Sequence, residues 1–132
     1  MDLKAMKRIA EREIFRYRDN RAYMQGVLDA SGSREMGKFG ERAAWVMAVE
    51  YAKAYLEDTD PAKASFFSGF YHLDRPQRKN RPKVTMTAIA MQLHVSESTL
   101  YHWRSEALSI VVMAAIQTGA LRPYGIGTKK TR

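Results

Sequence analysis

A short segment in the C-terminal half of the chain concentrates hydroxyl, imidazole and carboxylate side chains at helical spacing. Such groups form hydrogen bonds with base edges, and a carboxylate can accept one from the amino group of cytosine. If the segment is the second helix of a helix-turn-helix, its outer face would meet the major groove. The predicted base or groove contacts are Ser96, Glu97, Ser98, Tyr101, His102 and Ser105. Glu97 has two candidate roles, because a carboxylate in a first helical turn also stabilises the positive end of the helix dipole.

Two helices joined by a tight turn would position this face. Thr85 and Ser96 are candidate N-caps, because a hydroxyl there accepts a hydrogen bond from an otherwise unpaired backbone N–H. Ala90 supplies the small side chain that a close helix crossing requires. His94 stands in the turn, where glycine is usual because the backbone takes a positive φ. Histidine tolerates that region better than most residues, so the spacing still predicts a helix-turn-helix.

A basic loop immediately before this motif is the second candidate site. Pro76 and Pro82 keep the loop out of regular secondary structure. Its cations would lie beside the first helix of the motif, close to the DNA backbone. The predicted phosphate contacts are Arg75, Arg78, Lys79, Arg81 and Lys83 from the loop and Arg104 from the second helix. A solvated loop without a partner is the alternative interpretation.

The composition favours a polyanionic partner and offers little for catalysis. The 132 residues include 22 Lys and Arg against 14 Asp and Glu, which gives a net charge of +8. There is no cysteine, and the three histidines are not at metal-ligand spacing. No serine lies in a nucleophile-elbow sequence. We therefore expect a binding protein without enzymatic activity, cofactor or metal.

The N-terminal part of the chain is predicted to form one long helix over residues 1–30. Leu3, Ala10, Tyr17 and Met24 recur every seven residues and give a narrow apolar stripe. This stripe could dock on the rest of the chain or pair with a second copy in a homo-oligomer. The arginines of the segment alternate with acidic residues at helical pair spacing, and we interpret them as a solvated face.

The remaining chain completes an all-α prediction in which a long N-terminal helix precedes a small helical domain. Asp60 and Pro61 have the types expected at the N-cap and first position of a helix that runs to about His72. Glycine and serine mark a flexible linker, and the C-terminal tail is basic and predicted to be mobile. The predicted boundaries are residues 31–40 for the linker, 41–121 for the helical domain, 85–105 for the helix-turn-helix within it, and 122–132 for the tail.

Residues 88–107, AIAMQLHVSESTLYHWRSEA, resemble the phage-encoded late transcriptional regulators of the ArpU and RinA type. A hydroxyl-rich start is followed by an aromatic and basic helix and by Glu106-Ala107 before an apolar helix, as in that family. The aromatic residues at 66–73 also lie where the family has an aromatic-rich helix end. The DNA-binding half of these regulators is similar to the fourth conserved region of bacterial sigma factors. The resemblance implies a regulator of late phage genes in the bacterial cytoplasm, with RNA polymerase as a further partner.

The sequence thus predicts a sequence-specific regulator of transcription that binds double-stranded DNA. No apolar run approaches the roughly 18 residues of a membrane span, so no membrane partner is expected. Two alternatives stay open. One is a small terminase-like subunit that binds DNA and assembles into a ring for packaging. The other is a sigma-like module that contacts RNA polymerase without reading bases.

Overall fold

The computed structural model describes residues 2–30, 36–74 and 85–122. Within these ranges the chain forms six α-helices and no strand, which confirms the predicted all-α class. None of the described helices is both long enough and apolar enough to cross a bilayer. The helices are α1 (Leu3–Phe15), α2 (Tyr17–Ala30), α3 (Met36–Thr59), α4 (Pro61–Phe70), α5 (Met86–Leu93) and α6 (Glu97–Thr118).

The two longest contacting helices, α3 and α6, form the centre of the fold. Ala48 and Ala52 of α3 and Ala115 of α6 are completely buried in the core that these helices share. Small side chains at such positions let two helix backbones approach closely, and larger neighbours fill the space between them. Trp45 and Val111 are among those larger neighbours. The α3–α6 pair therefore sets the position of every element that packs around it.

The N-terminal segment forms two helices, where the sequence predicts one. Arg16 adopts φ −91° and ψ 2°, and its N–H donates to the Glu13 carbonyl, so the regular α-helical ladder is interrupted. This bend lets α1 pack against α6 while α2 packs against α3. No proline or glycine marks the break in the sequence, so local residue types do not predict it.

The apolar stripe of the N-terminal segment docks within the chain itself. Ala10 and Tyr17 belong to the main core, and Met24 packs against it, whereas Leu3 is 49% exposed. Docking was one of the two outcomes that the stripe left open. Most of the stripe is covered by the core of the same chain. Pairing with a second copy through this segment stays a prediction.

The predicted linker is too long at its C-terminal end. Helix α3 begins at Met36, so residues 36–40 are helical, and residues 31–35 lie outside the described residues. The two glycines in residues 36–40 each disfavour a helix by about 1 kcal/mol. That local cost is small beside the core packing of α3, and Arg42 also holds the start of the helix, with its guanidinium 4.0 Å from the centroid of the Tyr23 ring.

Helix α4 joins the core to the helix-turn-helix. The Asp60 carboxylate accepts from the Lys63 N–H at 3.4 Å, and Pro61 opens the helix as predicted. The helix ends at Phe70, slightly before the predicted end near His72. Phe66, from the middle of α4, is 1% exposed and forms a second apolar cluster with Ile89, Ala90 and Leu100. This cluster fixes the helix-turn-helix against the rest of the domain.

The helix-turn-helix has the local geometry that its sequence predicts. The Thr85 hydroxyl accepts from the Ala88 N–H at 3.1 Å, and the Ser96 hydroxyl accepts from the Thr99 N–H at 3.1 Å, so both predicted N-caps are confirmed. His94 adopts the left-handed conformation, with φ 58° and ψ 43°. Two capped helices and a left-handed turn therefore set the direction in which α6 leaves α5.

Two of the left-handed residues that follow helices, His94 and Gly119, permit a matched test of turn geometry. Gly119, after α6, has φ 87° and open space where a Cβ would lie, so only its backbone conformation resists a side chain. We expect His94→Gly to raise the free energy of unfolding by about 1 kcal/mol and Gly119→Ala to lower it by about the same amount. Urea denaturation measures both. A His94→Gly variant less stable than the wild type would contradict the turn geometry.

Candidate nucleic-acid interface

One side of α6 presents a row of exposed polar side chains, which we call the polar face: Ser98, Tyr101, His102 and Ser105. Positions three and four apart lie on the same side of a helix, so these residues span two turns and roughly 10 Å. The Tyr101 side chain is 51% exposed. Within the described part of the chain, no hydrogen bond or ion pair engages Ser98, Tyr101 or His102. The face therefore offers hydroxyl and imidazole groups that the fold itself does not use.

Two further predicted base contacts serve the fold directly. The Ser96 hydroxyl caps α6 and also lies 2.9 Å from the Thr99 hydroxyl. The Glu97 carboxylate accepts from the Thr87 hydroxyl at 3.0 Å, which links the first turn of α6 to α5. The geometry thus accounts for Glu97 as a support for the helix start. Contact of Ser96 or Glu97 with a base stays a prediction.

Arg104 lies against α1. Its Nε donates to Oε2 of Glu11 and its Nη2 donates to Oε1, both at 2.7 Å, so the two charged groups form a bidentate pair. The Arg104 side chain is 35% exposed and that of Glu11 is 19% exposed. Contact between Arg104 and a phosphate stays a prediction, and it would use the guanidinium N–H groups that Glu11 leaves free.

Tyr71 completes the polar network around Glu11. Its hydroxyl donates to Oε2 of Glu11 at 2.6 Å. Burial by itself raises the pKa of Glu11, but the hydrogen bonds from Arg104 and Tyr71 and the charge of Arg104 outweigh it, leaving the pKa below the usual 4.5. Burial and the Glu11 carboxylate both raise the pKa of the Tyr71 hydroxyl, so it stays protonated and keeps donating. A single ionised carboxylate therefore connects α1, the end of α4 and α6.

Helix α1 also reaches the polar face itself. The Lys7 ammonium donates to the Ser105 hydroxyl at 2.8 Å. The sequence does not predict these contacts between α1 and α6. Lys7 and Ser105 are 98 residues apart, Glu11 and Arg104 are 93 apart, and no local spacing connects them. Predicting them would first have required predicting the break at Arg16 between α1 and α2.

Helix α4 flanks the opposite side of α6 with a second ion pair. The Lys63 ammonium lies 2.8 Å from Oε1 and 2.9 Å from Oε2 of Glu106. The pair is partly exposed, so solvent screening limits its contribution to stability, but it neutralises the positive charge of Lys63 on that side. Among the described residues the two flanks therefore differ in charge, because Lys7 of α1 brings an ammonium without an ion-pair partner to the polar face, whereas Lys63 of α4 is paired with Glu106.

Five of the six predicted phosphate contacts cannot be placed. Arg75, Arg78, Lys79, Arg81 and Lys83 all lie in residues 75–84, outside the described residues. The basic tail from residue 123 onward also lies outside them. In the ranges that the structure describes, no three His, Asp or Glu side chains are grouped so that they could hold a metal ion.

Comparison of the chain with protein-family models, with curated proteins and with solved structures finds no match. The site is therefore interpreted from its own geometry and chemistry.

The Glu11 network predicts a specific dependence of stability on pH. Because folding lowers the pKa of Glu11, its stabilising contribution is complete above the unfolded value near 4.5 and is lost as pH falls through the lower folded value. At pH 7 we expect Glu11→Gln to lower the free energy of unfolding by about 1–3 kcal/mol, since Arg104 loses its charged acceptor. The difference between the two proteins should shrink towards pH 3.

Urea denaturation at pH 7 and at pH 3 measures this effect. The control is Glu57→Gln, which removes the charge of an exposed carboxylate and should change stability by less than about 0.5 kcal/mol. A Glu11→Gln deficit that is the same at both pH values would show that ionisation of Glu11 does not hold α1 in place.

Proposed function

We propose that this protein is a sequence-specific, double-stranded DNA-binding regulator of transcription. The observation that carries the proposal is the polar face of α6, which is exposed and located on the second helix of a capped helix-turn-helix, and whose Ser98, Tyr101 and His102 side chains the described fold does not engage. In proteins of this architecture the second helix enters the major groove while the first crosses the backbone. The proposal assigns these two roles to α6 and α5.

The chemistry of the polar face suits direct readout. Ser98 and Ser105 carry hydroxyls that both donate and accept, and His102 can do the same in its neutral form. Tyr101 adds an exposed ring and a phenolic hydroxyl. Each good contact of this kind is worth about 1–3 kcal/mol of discrimination between bases. Several such contacts together would give sequence-specific binding through α6, without base contacts from α1 or α4.

The net charge of +8 supports an electrostatic component of binding. The predicted phosphate contacts in residues 75–84 directly precede the helix-turn-helix in the sequence, and they remain predicted phosphate contacts in the proposal. Regulation of late phage genes, contact with bacterial RNA polymerase and residence in the bacterial cytoplasm come from the resemblance of residues 88–107 alone. These three statements are more specific than the DNA-binding proposal and rest on that resemblance only.

Selection of bound sequences from a random duplex pool at near-physiological salt tests the proposal. We expect enrichment of one motif by the wild-type protein. The Tyr101→Ala/His102→Ala double variant should lose roughly tenfold to a hundredfold in preference for that motif. Because both side chains are exposed, the variant should fold with little change in stability.

Met113→Ala/Gln117→Ala is the matched control, since both residues are exposed on the same helix, beyond the polar face. This variant should retain the wild-type motif. Binding without enrichment of a motif would overturn the regulator proposal in favour of a packaging subunit, and a large ring in a mass measurement would support that alternative. Absence of binding would favour the module that contacts RNA polymerase without base readout.

A further inference from the structure

We propose that α1 forms one wall of the DNA-binding surface, with Lys4, Lys7 and Arg8 contacting phosphates beside the polar face of α6. This inference rests on the proposed function and extends it to an element that lies outside the helix-turn-helix. For Arg8, it also replaces the interpretation of the N-terminal arginines as a solvated face. The structural observation behind this inference is that α1 packs against α6.

The first argument is position. Lys7 donates to Ser105, and Glu11, one turn further along α1, pairs with Arg104, the residue next to Ser105 in α6. These two contacts place the N-terminal half of α1 along the edge of the polar face. Any duplex that reaches Ser105 would therefore meet the Lys7 ammonium at the same place.

The second argument is the geometry of α1 itself. Lys4, Lys7, Arg8 and Glu11 have the i, i+3, i+4 and i+7 spacing of one helical face. Because Lys7 and Glu11 both contact α6, Lys4 and Arg8 belong to the same side of α1 and border that contact. Both are exposed. The three cations thus span about one turn, or roughly 6 Å along the helix.

The third argument is charge. Arg12 and Arg16 of the same segment have a carboxylate partner in Glu13, and Arg104 has one in Glu11. Within the described part of the chain, no carboxylate forms an ion pair with any of the three α1 cations. Their charge is therefore available to a polyanion, while that of most nearby arginines is already compensated.

The fourth argument is rigidity. The ion pair and hydrogen bonds at Glu11 fasten α1 to α6 and to Tyr71 at the end of α4, so the backbone positions that carry the three cations are fixed relative to the polar face. Pre-organised cations lose less conformational freedom on binding than cations on a flexible arm. A fixed wall also sets the orientation of the duplex, which is the usual contribution of phosphate contacts.

The test is the salt dependence of binding to the duplex that the wild-type protein selects. Each phosphate contact contributes about 0.9 to the slope of log affinity against log salt concentration. We expect the Lys4→Ala/Lys7→Ala/Arg8→Ala variant to reduce that slope by about 2–3, to bind at least tenfold more weakly at low salt, and to select the same motif as the wild type.

Arg18→Ala/Arg122→Ala is the control, because it removes two positive charges without an ion-pair partner among the described residues from exposed positions on α2 and beyond the end of α6. Its slope should stay within about 1 of the wild-type value. A wild-type slope in the α1 variant, or an equal reduction in both variants, would overturn the role of α1 while leaving the regulator proposal intact. A wild-type protein that selects no motif would overturn the proposed function itself.

Discussion

The carboxylate of Glu11 is the interaction on which the arrangement of the candidate interface depends. It accepts two hydrogen bonds from Arg104 and one from Tyr71, and so joins α1 to α6 and to the residue that follows α4. A partly buried carboxylate is stable only because its oxygens are saturated by these donors. The same contacts hold Arg104 against α1 at the edge of the polar face, where the side chains of Tyr101 and His102 stay exposed to solvent.

The locally encoded parts of this structure follow directly from the sequence. Both N-caps, the proline start of α4 and the left-handed residue His94 each depend on side chains within four positions of one another. The same is true of the helical spacing of the polar face. For this reason the helix-turn-helix and most helix bounds can be derived from residue types alone, even where histidine replaces the expected glycine.

The parts that depend on packing could not be derived in that way. The break at Arg16 and the early start of α3 at Met36 arise because core packing outweighs local propensity. The engagement of Arg104 by Glu11 is likewise invisible in the sequence, since 93 residues separate the partners. Sequence reasoning therefore found the residues of the polar face but not the helix beside it, whose cations change the charge of that surface.

Nuclear magnetic resonance of the isotope-labelled protein, titrated with a duplex that it binds, tests the central claim most directly. The account predicts that the largest shifts in backbone amide signals fall on residues 98–105 of α6 and residues 4–8 of α1, with smaller changes in α2 and in the middle of α3. The 15.1 kDa chain is small enough for residue-by-residue assignment. Shifts centred on the exposed side chains of Tyr51, Tyr55 and Met113, with residues 98–105 unchanged, would contradict the account.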